Sequence, residues 1–234
     1  MRLSVASDRD CRGGTSNDFE GTSPGGGELI QDRVAALEEL RCEVLRCEAC
    51  DLYQTRNQVV FGSGTCDAAL MFVGEAPGKN EDLQGEPFVG QAGRLLDTLL
   101  DEASIDRTDV YIGNVLKCRP PGNRDPRPEE IEACKGYLRR QLELVDPMVV
   151  VTLGNFSTKL LLKTELGITR LRGRSYQWWR GKTLIPTYHP AAALRGGERI
   201  IEMMREDFKL MRSVLDGETS TSDSSEARQL GLFG

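Results

Sequence analysis

The sequence predicts an α/β domain: a mostly parallel sheet covered by helices on both faces, with ligands expected at the carboxyl ends of the strands. Three observations carry this. Short apolar runs alternate with helix-length stretches in a repeated β-loop-α order. The longest of those runs, residues 70–74 and 148–153, are strand-sized and far short of the roughly 20 residues a membrane span needs. A chain of 234 residues with 39% hydrophobic content can bury one sizeable core and hardly two.

Residues 1–28 are rich in Gly, Ser, Thr and Asp and lack the apolar stretch of a signal peptide. They read as a disordered tail, and the protein is expected to stay in the cytoplasm. Leu29, Val34, Leu37, Leu40, Val44 and Leu45 recur at helical spacing, which predicts a first helix over 29–47. Residues 69–73 are continuously apolar, as in a buried strand, and a Gly/Pro-rich loop and a helix over 91–103 follow. A second strand is expected over 110–114. Pro128 opens a helix over 127–145, then come a strand over 148–153 and a helix over 155–163. Short strands over 177–179 and 183–185 flank Gly181, and a last helix runs over 191–215. The domain therefore spans 29–215, and 216–234 is a second expected tail.

The net charge of −6 looks wrong for a protein that touches nucleic acid until the charges are located. Residues 1–32 carry three Arg against six acids, and 216–234 one Arg against four, leaving 26 charges of each sign between them. Two stretches of this neutral body are locally basic. Residues 117–127 contain Lys117, Arg119, Arg124 and Arg127 against Asp125, and 168–182 contain five cations and no acid. Phosphate contact needs such patches rather than a basic total, although a solvated face reads the same way.

Seven cysteines in an intracellular chain argue against a disulfide framework and for a metal site. Cys47-x-x-Cys50 follows the first helix, and Cys118 and Cys134 flank a Pro-rich loop that can return them as a second pair. Four thiolates suit tetrahedral zinc or an iron-sulfur cluster, and spacing alone does not choose. Cys11, Cys42 and Cys66 read as bystanders, with Cys42 close enough to be an alternative ligand.

Four further residues fall at strand-to-loop junctions. Glu75 lies in Gly74-Glu75-Ala76-Pro77-Gly78, where backbone amides can approach a ligand and a carboxylate can position water, although a capping or solvated Glu is the commoner use. Phe88 sits amid Gly and Pro, placed for stacking on a flat ligand or for core packing. Asn114 ends the second strand, where its amide offers one donor and one acceptor face or merely makes a turn. His189, the sole histidine, sits in Tyr188-His189-Pro190; a neutral imidazole there can stabilise growing negative charge, or be structural.

The segments GEAPGKNEDLQGEPFVGQAGRLLD, GNVLKCRPPGNRDP and YHPAAALR, with the cysteine quartet, closely resemble family 4 uracil-DNA glycosylases over residues 38–212. The resemblance implies a three-layer α/β/α sandwich around a four-stranded parallel sheet, and a [4Fe-4S] cluster on Cys47, Cys50, Cys118 and Cys134. It implies base excision repair of uracil-containing DNA by a monomeric, monofunctional enzyme. Gly74, Glu75 and Ala76 would line the uracil pocket, Phe88 stack on the base, Asn114 read its edge and His189 face O2. Glu75 would orient water, and a wall over 79–82 would exclude the thymine methyl. Leu194 or Ala193 would fill the vacated place in the duplex, with Arg195 near phosphate. Family 1 enzymes carry Asp where this chain has Ala76, which leaves the water-activating group less secure. The crosslinking X-type relatives insert a His-bearing loop where this chain has residues 119–124 without His.

The last residues resemble a shortened sliding-clamp binding box, with Gln229, Leu232 and Phe233 as its anchors; a fold-back onto the protein's own surface is the other reading. Two rival functions remain at this level: a non-catalytic iron-sulfur or zinc module stacking nucleic acid on Trp178 and Trp179, and a glycosylase for another damaged base.

Overall fold

The computed structural model describes residues 26–218. Most of the two expected tails, Cys11 and the proposed clamp anchors Gln229, Leu232 and Phe233 lie outside them, while the first helix begins at Gly26, inside the expected tail over 1–28. No described helix is long and apolar enough to cross a membrane.

In chain order the elements are α1 (Gly26–Leu45), β1 (Ser63–Gly64), β2 (Leu70–Gly74), α2 (Lys79–Gln84), α3 (Gln91–Glu102), β3 (Tyr111–Asn114), α4 (Pro128–Val145), β4 (Val149–Leu153), α5 (Asn155–Leu162), α6 (Ile168–Leu171), β5 (Tyr176–Gln177), β6 (Thr183–Thr187), α7 (Pro190–Gly196) and α8 (Glu198–Leu215). The sheet order is β1-β3-β2-β4-β6-β5. Its centre, β3-β2-β4-β6, is the expected four-stranded parallel sheet. Two antiparallel two-residue strands, β1 and β5, extend the edges.

Alternation along the strands sorts the core into two layers. Met71, Val73 and Val150 face one side with Leu37, Leu40, Val44, Leu138 and Leu142 of α1 and α4. Leu70, Phe72, Val149 and Val151 face the other with Leu96, Leu99, Met204, Phe208 and Met211 of α3 and α8. This period of two turns a continuously apolar run into a sheet buried on both faces, hence a three-layer α/β/α sandwich. Each such Leu or Phe contributes roughly 1.5–3 kcal/mol by leaving water.

The loop after β2 leads to α3 on one face, whereas those after β3 and β4 lead to α4 and α5 on the other. A crevice therefore opens beyond the carboxyl end of β2.

Three expectations need correction. The last helix is two helices, broken at Gly197 (φ 77°), whose positive φ a continuous helix does not accept. The strand expected over 177–179 ends at Gln177, because the chain turns at Arg180 (φ 55°). Trp178 is no stacking surface: it is buried and donates Nε1–H to the Leu161 carbonyl at 2.9 Å.

Candidate active site

Register builds the site. β2 and β3 pair to their last residues, Gly74 opposite Asn114, and the pairing runs on as Val115 N–H donates to Gly74 O and Leu116 N–H to Glu75 O, both at 3.0 Å. The two loops thus leave the sheet side by side. They meet the His189 turn over a cavity of about 1300 Å³ lined by Glu75, Ala76, Phe88, Asn114 and His189, the residues expected to gather, and by Arg195, expected near phosphate. Gly74 lies beneath: a Cβ on it would strike the Asn114 amide and the Phe88 ring, so glycine lets those two close on each other. Leu194 lies outside the cavity, 44% exposed at the end of α7, while the alternative wedge Ala193 is fully buried and unavailable.

Asn114 is 2% exposed, and its Oδ1 is the single buried side-chain oxygen or nitrogen among the described residues without a hydrogen-bond partner. A buried orphan acceptor costs about 1–3 kcal/mol, which a ligand N–H would recover.

His189 caps α7: its Nδ1 accepts the Ala191 N–H at 3.1 Å. That bond leaves Nε2 carrying the proton of the neutral ring, as a donor. Burial, reinforced by the nearby Arg195 charge and opposed by Glu81, pulls its pKa down to about 4, so the ring is neutral at physiological pH. Phe88 lies against it, ring centroids 5.7 Å apart at 30°. Phe88 itself has φ 54°, which non-glycine residues seldom adopt. Glu81 holds this turn by accepting the Val89 and Gly90 N–H groups at 3.0 Å each.

Burial pushes the Glu75 carboxyl above its ordinary 4.5, and Asp125 across the cavity adds to the rise. Asp125 and Asn123, on the Pro-rich loop, line the cavity without having been singled out. The signal that could find them is their place just after the Asn114 strand, in a loop read for its charge, its prolines and the cysteines that flank it. That loop is fixed by Glu130, 2% exposed, which pairs bidentately with Arg124 and accepts the Arg127 N–H at 2.8 Å.

Only part of the segment expected as a wall over 79–82 faces the cavity. Lys79, Asn80 and Glu81 line the cavity, but Asp82 is buried away from it and bonds Asn57. The basic stretches also resolve differently. Arg172 pairs with Asp207, Lys182 with Asp146, and Arg180 lies over Trp179, whereas the cavity's cations are Lys79, Arg124, Lys159, Lys163 and Arg195.

Behind the site, Cys47, Cys50, Cys118 and Cys134 line one smaller cavity. Cys47 Sγ accepts the Ala49 N–H at 3.5 Å and Cys118 Sγ the Arg56 guanidinium at 3.4 Å, donors of the kind thiolate ligands need. Four thiols lining one cavity suit tetrahedral zinc or an iron-sulfur cluster. Burial drives the metal-free Cys134 thiol up to about 12. Cys42, the alternative ligand, is disulfide-bonded and does not line this cavity.

Residues 61–213 match the Uracil DNA glycosylase superfamily. A Sulfurisphaera tokodaii protein named Type-4 uracil-DNA glycosylase is 47% identical over 188 residues, covering 76% of this chain and 84% of that protein. Proteins of the same name from Saccharolobus solfataricus (44% over 197 residues, 80% and 90% covered) and Archaeoglobus fulgidus (45% over 183 residues, 75% and 92% covered) are similar to a like extent.

Proposed function

The chain belongs to the uracil DNA glycosylase superfamily, and from that premise we propose that it removes uracil from DNA by hydrolysing the N-glycosyl bond at the cavity between Glu75, Phe88, Asn114 and His189. The orphaned, buried Asn114 Oδ1 carries this reading. A carboxamide with a free acceptor beside its own N–H donors matches the N3–H and O4 of uracil, while cytosine presents an acceptor and a donor in the reverse order.

The target nucleotide has to leave the helix, since its glycosidic bond is unreachable inside the stack. The base then lies on Phe88 with its edge on Asn114. As the bond breaks, the sugar gains positive charge and uracil leaves as an anion. His189, neutral and with its proton on Nε2, donates to O2 without first losing a proton. The half-buried Glu75 carboxylate orients water toward C1′ and faces the developing cation. Lys79, Asn80 and Glu81 support exclusion of the thymine methyl, and Leu194 with Arg195 supports the DNA contact.

The cysteine cavity supports a [4Fe-4S] cluster on Cys47, Cys50, Cys118 and Cys134. When bound, a cluster there supplies a structural cross-link between the end of α1, the β3–α4 loop and α4 rather than a reaction step. The terminal Gln229, Leu232 and Phe233 support docking on a sliding clamp, which a pull-down with and without those residues tests.

The test of the main reading is a duplex carrying one uracil. Alkali-labile cleavage is expected at that position and none opposite thymine, hypoxanthine or cytosine controls. Tight binding without an abasic site would leave only a binding module. Asn114→Ala should lower kcat/KM about 10- to 100-fold, the worth of a lost paired polar contact to the base.

A further inference from the structure

Lys117 is a large side chain buried to 1% exposure with no carboxylate partner among the described residues. Its Nζ donates to the Asn114 carbonyl at 2.7 Å and to Gln141 Oε1 at 2.5 Å. Two neutral acceptors do not offset the desolvation of an ammonium, which costs several kcal/mol. Lys117 also lines the cysteine cavity together with Cys47, Cys50, Cys118 and Cys134, with Arg56 as a second cation on its lining. Four thiolates holding a cluster make an anionic assembly, so the missing counter-charge lies there. Arg56 sits at the partly exposed edge, bonded to Cys118 Sγ at 3.4 Å and to the Cys47 carbonyl at 2.6 Å, whereas Lys117 is the interior cation.

The other end of the contact is the strand that reads the base. Gln141 lies two turns beyond Cys134 on the same buried face of α4, and its Nε2 donates to the Phe61 carbonyl at 2.8 Å and the Tyr111 hydroxyl at 2.9 Å. Tyr111 begins β3 and Asn114 ends it. The Lys117–Gln141 pair thus grips both ends of β3 from the cysteine side.

We propose that Lys117 is a positioning residue shared by the two cavities: its buried ammonium is the internal counter-charge of the cluster, and its bond to the Asn114 carbonyl fixes the strand end that presents the base-reading amide. This rests on the cluster reading above. Outer-shell partners of this kind typically change metal retention or activity by about 10- to 100-fold.

The test compares anaerobically purified wild type, Lys117→Met, Lys117→Arg and Gln141→Leu, each scored for iron content, iron release to a ferrous chelator, and kcat and KM on a uracil oligonucleotide. K117M is expected to release iron at least about tenfold faster than wild type, with kcat lowered about tenfold at little-changed KM. K117R keeps the charge, so its iron release stays near wild type while kcat falls. Q141L disturbs the tether alone and behaves as K117R does. Wild-type iron release and kcat in K117M overturn the proposal, as does a Q141L that sheds iron as fast as K117M, which would assign retention to packing. Should K117M not accumulate as folded protein, K117R carries the test, and accelerated iron loss from it overturns the proposal. A wild type without iron refutes the cluster reading instead, a result distinct from either.

Discussion

Two titratable residues that line the cavity have environments that push them in opposite directions. His189 is held neutral by burial and by Arg195, with a pKa near 4, and its Nδ1 is occupied by the Ala191 N–H. It therefore contributes no change of charge near neutral pH. Glu75 is pushed above 4.5 by burial and then by Asp125, so it loses its charge as pH falls toward that raised value. A protonated Glu75 can neither orient water through an anionic oxygen nor stabilise the sugar cation. The expected kcat/KM profile is flat through neutral pH and falls on the acid side as pH descends through a value above 4.5. Glu75→Gln should remove the Glu75 limb, leaving only the lower-lying His189 ionisation near 4 on the acid side, and lower the plateau by about 10²-fold or more. Steady-state rates from acid to neutral pH on one oligonucleotide decide it, and an E75Q enzyme that keeps the wild-type limb would reassign water activation, with Asn123 and Asp125 as the facing alternatives.

The Phe88 turn between α2 and α3 shows why one strained residue needs a whole element to hold it. A positive φ at a bulky residue costs of order 1–3 kcal/mol unless its surroundings determine it. Here Glu81 of α2 takes two N–H groups, and Arg107 donates to the Pro87 carbonyl at 2.8 Å. Gly93 of α3 lets the Phe88 carbonyl lie where a Cβ would be. Gly93→Ala should therefore destabilise the fold by about 1–3 kcal/mol and move the ring off His189, lowering kcat. Thermal unfolding and kcat of G93A measured together check this, and unchanged values in both contradict it. Such a turn was only half legible in the sequence. The Gly and Pro residues around Phe88 marked a loop, and that loop's position after an apolar strand marked it as a place for chemistry. Nothing local signals that Glu81 reaches forward to Val89 and Gly90, or that Phe88 faces a histidine 101 residues away. The same limit applies elsewhere. The central strands β2 and β4 declare themselves by their apolar runs, because burial on both faces needs them. β1 and β5 hold two residues each, exist only through pairing with β3 and β6, and leave no periodicity to read. Lys117 is the converse case: a lysine in a basic stretch reads as surface charge, and only the fold shows it inside.

For the molecule as a whole, charge and shape divide the work of engaging DNA. The chain is acidic overall, yet Lys79, Arg124, Lys159, Lys163 and Arg195 all border one cavity. These cations share the cavity with Glu75, Glu81, Asp125 and Glu165, and Arg124 and Lys159 are paired with carboxylates. Phosphate attraction is therefore local to the cations unpaired among the described residues rather than spread over the surface. Shape enters at α7. His189 caps that helix, Ala193 anchors it in the core, and Leu194, next along, projects into solvent with 44% of its surface exposed, beside the cavity-lining Arg195. A large exposed aliphatic group gains nothing in the free protein. In the complex it can occupy the space an extruded nucleotide leaves, offsetting the loss of stacking, which amounts to a few kcal/mol. That benefit exists only where there is a stack to fill. Leu194→Ala should therefore slow excision from duplex DNA about 10-fold or more, equivalent to at least about 1.4 kcal/mol, and change the rate on a single-stranded oligonucleotide of the same sequence far less. Arg195→Ala acts through phosphate on both substrates and should reduce the steepness of the salt dependence by about one unit of slope. Single-turnover rates of L194A and R195A on matched single and double strands across a salt series separate the two roles, and equal slowing of L194A on both substrates would remove the wedge from the account while leaving the pocket chemistry intact.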